Sequence, residues 1–312
     1  MGDLHAVVGA SAESALCRAF DAARQSIDGE FYRLGDRAIV GALNRAARRG
    51  VSVTVRIEAD PKRFDHLTNR ERFDAAAQAT GARARRELDP DVNLIVEDDP
   101  LVELHAKAAV VDAARAFVST ANISPAWHTQ DGELLVEDDR PGDARALARS
   151  FDGEATASST RIVAGVASPL RARLDRMLAG SHRVDVAMED LSDRFVIDRL
   201  IARRAARRGD RVIVNLDRRA SGHLRGELHR LVNAGVRVRA LRGVSMHDKY
   251  LDDGSSMYIG SANFTSNGLD DSNEAGIVAP ARDFDDRGRA ARSAFDRMWN
   301  RSQPLTAGDL RK

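Results

Sequence analysis

Apolar positions along the chain follow two alternating periods. Residues 12–26 carry Leu16, Phe20 and Ala23 at helical spacing, which predicts a helix resting on a sheet. Residues 27–34 read as a strand, after which Asp36 caps a helix through residue 49 and Gly50 stops it. Residues 51–57, Val-Ser-Val-Thr-Val-Arg-Ile, alternate strictly and predict a strand. Residues 61–80 are charged and predict a helix closed by Gly81, with a further strand over 82–88. The acidic stretch 89–103 carries two prolines and reads as a loop, a rim or lid over a site. Strands follow at 104–111, 116–120 and 132–137, then a helix over 141–151.

The small polar run 153–160 is the best linker candidate, and after it the order repeats. A helix over 169–179 precedes a strand over 183–188, and Asp193 caps a helix that Gly209 ends. A strand over 212–216, a helix over 223–234 and a strand over 236–241 come next, with Gly235 matching Gly81. A hairpin turn is expected at Asp253-Gly254. The pattern therefore predicts two pseudo-symmetric α/β sandwich domains, 1–155 and 156–312, each a mixed sheet flanked by helices.

Chemistry repeats along with the pattern. His105-Ala106-Lys107 runs to Asn122, and His247-Asp248-Lys249 runs to Asn263. On a strand, residues i and i+2 share a face, so each His and Lys would project together. Asn122 and Asn263 are 141 apart, as are Glu133 and Glu274, and Asp112 and Asp253. The His and Lys pairs differ by 142, so the second copy lacks one residue between Lys249 and Asp253. A lone His-x-Lys is usually structural; two copies with matched Asn and carboxylates are a repeated constellation.

Composition narrows the reading. Charged residues are 30% and hydrophobic residues 43% of the 312, as in a globular chain, and the net charge of +1 gives no global pull on polyanions. One cysteine, Cys17, excludes a disulfide framework within the chain. No basic segment leads into an apolar core near residue 1, and no run reaches membrane-spanning length, so the expectation is a soluble cytoplasmic protein. Only four of the 48 basic side chains are lysine, and two of those are Lys107 and Lys249. A chain that otherwise uses Arg keeps Lys where a compact point charge is wanted.

The arrangement resembles the phospholipase D superfamily, whose motif is His-x-Lys, four residues, Asp, six residues, then Gly-Ser/Thr-x-Asn. His105, Lys107, Asp112, Thr120 and Asn122 fit it, with Ser119 in the glycine place. His247, Lys249, Gly260, Ser261 and Asn263 fit it again; Gly254 stands where Asp is expected, and counting back from Asn263 selects Asp253. The resemblance implies one active site between the two halves, with a phosphodiester as substrate and a covalent phosphohistidine intermediate. Under it, His105 is the nucleophile and His247 the general acid/base, roles the pseudo-symmetry could exchange. Lys107, Lys249, Asn122, Asn263, Thr120 and Ser261 would hold phosphate, and Asp112, Asp253, Glu133 and Glu274 are the candidate imidazole partners. No metal or cofactor is expected, because lysines can supply the charge a divalent ion would. With both motifs in one chain a monomer suffices.

Phospholipid is the leading substrate and nucleic acid the alternative; a silent binding module is a third reading. Arginine-rich stretches at 45–49, 83–86 and 203–211 could track a nucleic-acid backbone. Aromatic content of 5% leaves few stacking platforms, while Phe264 and Leu269 could form an apolar rim for lipid. Trp127 and His128 could line a groove.

Overall fold

The computed structural model describes residues 3–59, 69–124, 132–154, 159–180, 182–206, 209–216, 220–242 and 244–311. The first half contains β1 (Leu4–Val8), α1 (Ala10–Ala22), β2 (Ser26–Phe31), α2 (Arg37–Arg48), β3 (Ser52–Glu58), α3 (Asn69–Ala84), β4 (Asn93–Glu97), β5 (Lys107–Val111), β6 (Arg115–Ser119), β7 (Leu134–Asp138) and α4 (Pro141–Phe151). The second contains β8 (Ile162–Gly165), α5 (Leu170–Ala179), β9 (Asp185–Met188), α6 (Arg194–Ala205), β10 (Arg211–Asn215), α7 (Gly222–Asn233), β11 (Arg237–Leu241), β12 (Lys249–Asp252), β13 (Ser256–Gly260), β14 (Glu274–Pro280), α8 (Arg289–Arg301) and β15 (Gln303–Pro304).

The strand orders are β1-β7-β6-β5-β2-β3-β4 and β8-β14-β13-β12-β9-β10-β11-β15, so the second sheet repeats the first and adds one short edge strand. In each sheet three strands run parallel (β2, β3, β4; β9, β10, β11) and the rest pair antiparallel. This is the expected pair of α/β sandwiches.

Period-two alternation decides which side chains meet. In β5, Ala109 and Val111 face α1 and α2 with Phe20, Ile39 and Leu43, while Ala108 and Val110 face the other half. There they join Val118 and Val136 against Tyr250, Ile259 and Ile277, with Leu147 of α4 and Phe295 of α8 closing the flanks. Helices α5 to α7 cover the outer face of the second sheet through Leu174, Leu200 and Leu228. Burying each aliphatic side chain is worth about 1.5–3 kcal/mol. The contact between halves is thus a core and not a loose docking surface. Asp36 and Asp193 start equivalent helices, accepting from Ala38 and Ile39 N–H (2.9 and 3.1 Å) and from Val196 N–H (3.1 Å).

Several sequence expectations are corrected. Residues 82–88 are not a strand: α3 runs through Gly81 to Ala84, because its Ala and Arg residues favour helix over the weak alternation. The acidic loop is interrupted by β4, which pairs parallel with β3 through Leu94 and Val96. The first helix spans Ala10–Ala22 and not 12–26, since Asp112 binds the N–H groups of Arg24, Gln25 and Ser26 and turns the chain early. Strands β1, β8 and β15 add to the elements that the sequence pattern predicts. Part of the linker candidate, residues 155–158, lies outside the described residues, as does the 207–208 end of the helix that Asp193 starts.

The missing residue falls in one hairpin. Val110 pairs with Ala116, and the equivalent pair is Asp252 with Met257, so the loop between β12 and β13 is one residue shorter. Gly254 takes a φ of 84° there, whereas Asp112 and Ala113 adopt 53° and 50° in the longer loop.

The Ser119/Gly260 difference has a packing reason. Ser119 Oγ accepts from Ala121 N–H at 2.9 Å; in the other half the Tyr258 hydroxyl accepts from Ala262 N–H at 3.1 Å. The phenol reaches that amide through space that glycine leaves open. A Cβ on Gly260 would lie 2.7 Å from Ala275 O and 2.8 Å from the Tyr258 hydroxyl. Gly260→Ala is therefore expected to cost about 1–3 kcal/mol by overpacking. Urea unfolding measures this, and an unchanged midpoint would refute the account.

Candidate active site

Both His-x-Lys segments sit at the entrance to their strands, one facing the other half. His105 precedes β5 and donates its backbone N–H to Asn273 O (2.9 Å), while Asn273 N–H bonds Glu103 O (2.9 Å). His247 precedes β12. Each lysine turns back on its own histidine: Lys107 Nζ is 2.5 Å from His105 O, and Lys249 Nζ is 2.6 Å from His247 O. Both lysines are buried, with exposures of 1% and 0%.

The carboxylates cross between halves. Glu274 Oε1 accepts from His105 Nδ1 at 2.8 Å, and Glu133 Oε1 lies 3.4 Å from His247 Nδ1. Thr120 Oγ1 donates to Glu133 (2.6 Å) and accepts from Leu134 N–H; Ser261 Oγ donates to Glu274 and accepts from Ala275 N–H. His105 is thus held by a hydroxyl–carboxylate pair from the opposite half, while His247 Nδ1 bonds the Thr120 carbonyl with Glu133 close by. This corrects the assignment of Thr120 and Ser261 to phosphate: both are fully buried, and their protons are spent on the glutamates. Asp112 and Asp253 are also corrected. They sit in hairpin turns at the far ends of β5 and β12, where Asp112 binds residues 24–26 and Asp253 binds Ser255 and Ser256 N–H.

Burial and charge set the protonation of this cluster. Burial holds the His105 imidazole below its ordinary value, against the pull of Glu274. Burial, reinforced by Lys249, lowers the Lys107 ammonium to about 7. Burial works to raise the Glu274 carboxyl, but His105 and Lys107 prevail and keep it ionised.

The two halves also differ at a position beside the imidazoles. Tyr32 stands four residues before Asp36 and Glu189 four before Asp193, so aligning the helix caps identifies them as counterparts. Tyr32 packs its ring 4.8 Å from that of His105 and lies under Lys107 Nζ at 4.9 Å. Glu189 instead contacts Lys249 Nζ (2.7 Å), His247 Nε2 (3.3 Å) and Asn263 Nδ2 (3.3 Å). His247 Nδ1 meets Thr120 O at 2.9 Å, with Lys249 Nζ at 3.0 Å. The carbonyl can only accept, which places a proton on Nδ1 and leaves the ammonium to Glu189 and His247 O. Asn122 Nδ2 is 3.3 Å from His247 Nε2, and Asn263 Oδ1 accepts from Asp190 N–H at 3.1 Å. Tyr32, Glu189 and Asn273 were missed from sequence because none belongs to the repeated spacing.

The surroundings bear on substrate. Arg45 pairs with Asp21, Arg48 with Asp89, Arg203 with Asp210 and Arg211 with Asp185. Arg85 and Arg86 bond backbone carbonyls. These six arginines therefore make contacts within the fold. Phe264 and Leu269 are buried, which corrects their placement on an exposed rim. Leu101 is 85% exposed and lines a cavity of about 180 Å³ with Tyr32, Glu58, Phe73 and Asp99. Trp127 and His128 lie outside the described residues. Among the described residues no three His, Cys, Asp or Glu side chains converge as a metal-ligand set, and no helix is long and apolar enough to cross a membrane.

Beneath the site Glu30 accepts from Asn273 Nδ2 at 3.2 Å, and burial raises its carboxyl to about 8. A raised acid stabilises the fold fully below its unfolded value, and that contribution is lost as pH rises through about 8. Glu30→Gln is expected to melt higher than the wild type at about pH 9 and alike at about pH 5. A pH-independent difference in melting temperature would contradict this.

A family model described as "Cardiolipin synthase, PLD-like domain" matches residues 16–154 and again 174–299. No curated protein matches the chain in sequence. Among solved structures, polyphosphate kinase from Porphyromonas gingivalis aligns over 98% of this chain with a TM-score of 0.67 and 17% identity; the chain spans 48% of that protein, about half its length. Phosphatidylserine synthase from Haemophilus influenzae aligns over 99% of this chain and 89% of its own, with a TM-score of 0.67 and 11% identity. Nuc, a phospholipase D family member from Salmonella typhimurium, covers 46% of this chain and 96% of its own, with a TM-score of 0.40 and 17% identity.

Proposed function

The chain belongs to the phospholipase D-like family in both of its halves, and on that premise we propose that it is a metal-independent phosphodiesterase acting on phospholipid. The crossed pairing of each histidine with the other half's glutamate, beside two buried lysines, carries this reading. His105 is the nucleophile. Its Nδ1 is committed to Glu274, and burial favours the neutral ring, so Nε2 holds the lone pair that attacks phosphorus. The P–N bond forms as the P–O bond to the leaving group breaks. His247, whose Nδ1 meets Thr120 O and whose Nε2 lies 3.3 Å from Glu189 Oε2, donates its Nε2 proton to the departing oxygen. It then takes a proton from the water that cleaves the phosphohistidine. Lys107, Lys249, Asn122 and Asn263 hold the non-bridging oxygens, which supplies charge stabilisation without a divalent ion.

Phospholipid is favoured because Arg45, Arg48 and Arg203 are engaged in internal pairs and Leu101 presents an apolar tip beside the site. The family description and the phosphatidylserine synthase likeness accord with it. The test is turnover of bis(p-nitrophenyl) phosphate in excess EDTA, followed by mixed phospholipid vesicles, single-stranded DNA and RNA. Release of a lipid headgroup with no cutting of nucleic acid is expected. Cutting of nucleic acid alone would give the nuclease reading, and no turnover by a folded protein would give a binding module.

The pH profile has a definite sign. Lys107 is a cation only below about 7, so kcat/KM is expected to fall as pH rises through that value. It should rise on the acid side as His105 loses its proton. A plateau extending to about pH 9 would remove Lys107 from the set of groups that must be charged.

A further inference from the structure

We propose that Glu189 is a specificity-determining residue: its carboxylate fills the second half of the phosphate cradle as an internal anion and biases the site toward monoanionic phosphodiesters over dianionic phosphate monoesters. The inference rests on the cradle reading above and extends it to substrate class.

The contacts define the role. Lys249 Nζ, His247 Nε2 and Asn263 Nδ2 are the donors that would meet a phosphate in this half, and Glu189 Oε2 touches all three at 2.7, 3.3 and 3.3 Å. A single carboxylate oxygen among an ammonium, an imidazole and an amide stands where a non-bridging phosphate oxygen would stand. Burial works to raise this carboxyl, but Lys249 and His247 hold it far below its ordinary value, so it stays charged across the working range. Its side chain keeps 30% exposure, which leaves it room to swing aside when a ligand enters.

The opposite half supplies the contrast. Tyr32 occupies the same place relative to its motif, stacking on His105 and Lys107 without a charge. Lys107 keeps its remaining donor capacity for substrate, whereas Lys249 is already paired. The cradle therefore offers a net charge one unit lower than its lysines suggest. A fixed negative charge repels a ligand in proportion to that ligand's own charge. A diester with one charge feels it once, and a monoester or inorganic phosphate with two feels it twice.

The experiment is calorimetric titration of wild type, Glu189→Gln and Glu189→Tyr with dimethyl phosphate and with inorganic phosphate, at constant ionic strength and about pH 8, where the second ligand is a dianion and Lys107 is largely neutral, so that Glu189 is the charge under test. Removing the charge is expected to tighten dimethyl phosphate by about tenfold and inorganic phosphate by about a hundredfold, the second gain being the square of the first. Glu189→Tyr copies the residue of the other half and should keep this order even if Glu189→Gln folds poorly. KM for bis(p-nitrophenyl) phosphate should fall with kcat less affected, whereas a residue that merely aligned His247 would lower kcat. Equal gains for the two ligands, or weaker binding of either, overturns the proposal. If wild type turns over the diester and the variants show no charge-dependent gain, the selector fails and the phosphodiesterase stands. If the variants bind as expected and nothing turns over, the selector stands and the phosphodiesterase fails.

Discussion

Asn in place of His105 or His247 is expected to lower turnover of bis(p-nitrophenyl) phosphate by about four orders of magnitude or more. Asn keeps a polar group of similar reach but can neither form the phosphohistidine nor shuttle a proton. Because the two imidazoles act in one sequence of steps, the double variant should be little worse than His105→Asn alone. The melting temperature is expected to move by no more than about 5 °C, because Asn keeps a polar group in place of the imidazole and the apolar core between the sheets is unchanged. Residual rates should also separate the roles. With a leaving group as acidic as nitrophenol, loss of the general acid His247 is tolerated better than loss of the nucleophile His105. If His105→Asn retained near-normal turnover, the nucleophile would have to be sought elsewhere.

The second large effect lies across the interface. Glu274→Gln removes the carboxylate that binds His105 Nδ1 at 2.8 Å and accepts the Ser261 proton. A neutral amide can offer N–H in place of an acceptor and stabilise the wrong tautomer, so kcat should fall by about two to four orders of magnitude. Glu133→Gln should do the same to His247, more weakly, because its contact is 3.4 Å and Thr120 O still holds Nδ1. Binding of phosphate is expected to survive both changes, which calorimetry would show. A loss of binding equal to the loss of rate would instead mean that the glutamates shape the cradle.

What the sequence made legible follows from what repeats. The interval of 141 shared by the Asn pair and the Glu pair marks positions fixed by the same strand register in both halves. Helices α2 and α6 were legible because Asp36 and Asp193 make real caps and glycines follow. The carboxylate roles were not legible from spacing. Asp112 has the motif's interval, yet its oxygens are used by three backbone amides of a turn, and a linear count cannot see that. Thr120 and Ser261 were placed beside phosphate because a hydroxyl next to Asn invites it; only the fold reveals that each reaches the glutamate thirteen residues on. Glu189 and Tyr32 escaped because they differ, and a search for repetition passes over places where the copies disagree. Strand β4 hid within an acidic stretch because its apolar run is only Leu94, Ile95 and Val96, between Asn93 and Glu97.

The exchange of glutamates between halves makes the two copies hereditary partners. A change that shifts Glu133 acts on the imidazole more than a hundred residues downstream, and one that shifts Glu274 acts as far upstream. Neither copy can drift, be shortened or be replaced by a stranger's equivalent without retuning its sibling. Complementary fragments divided after α4 would regain chemistry only on reassociation, in proportion to how well the shared apolar face brings them back into register.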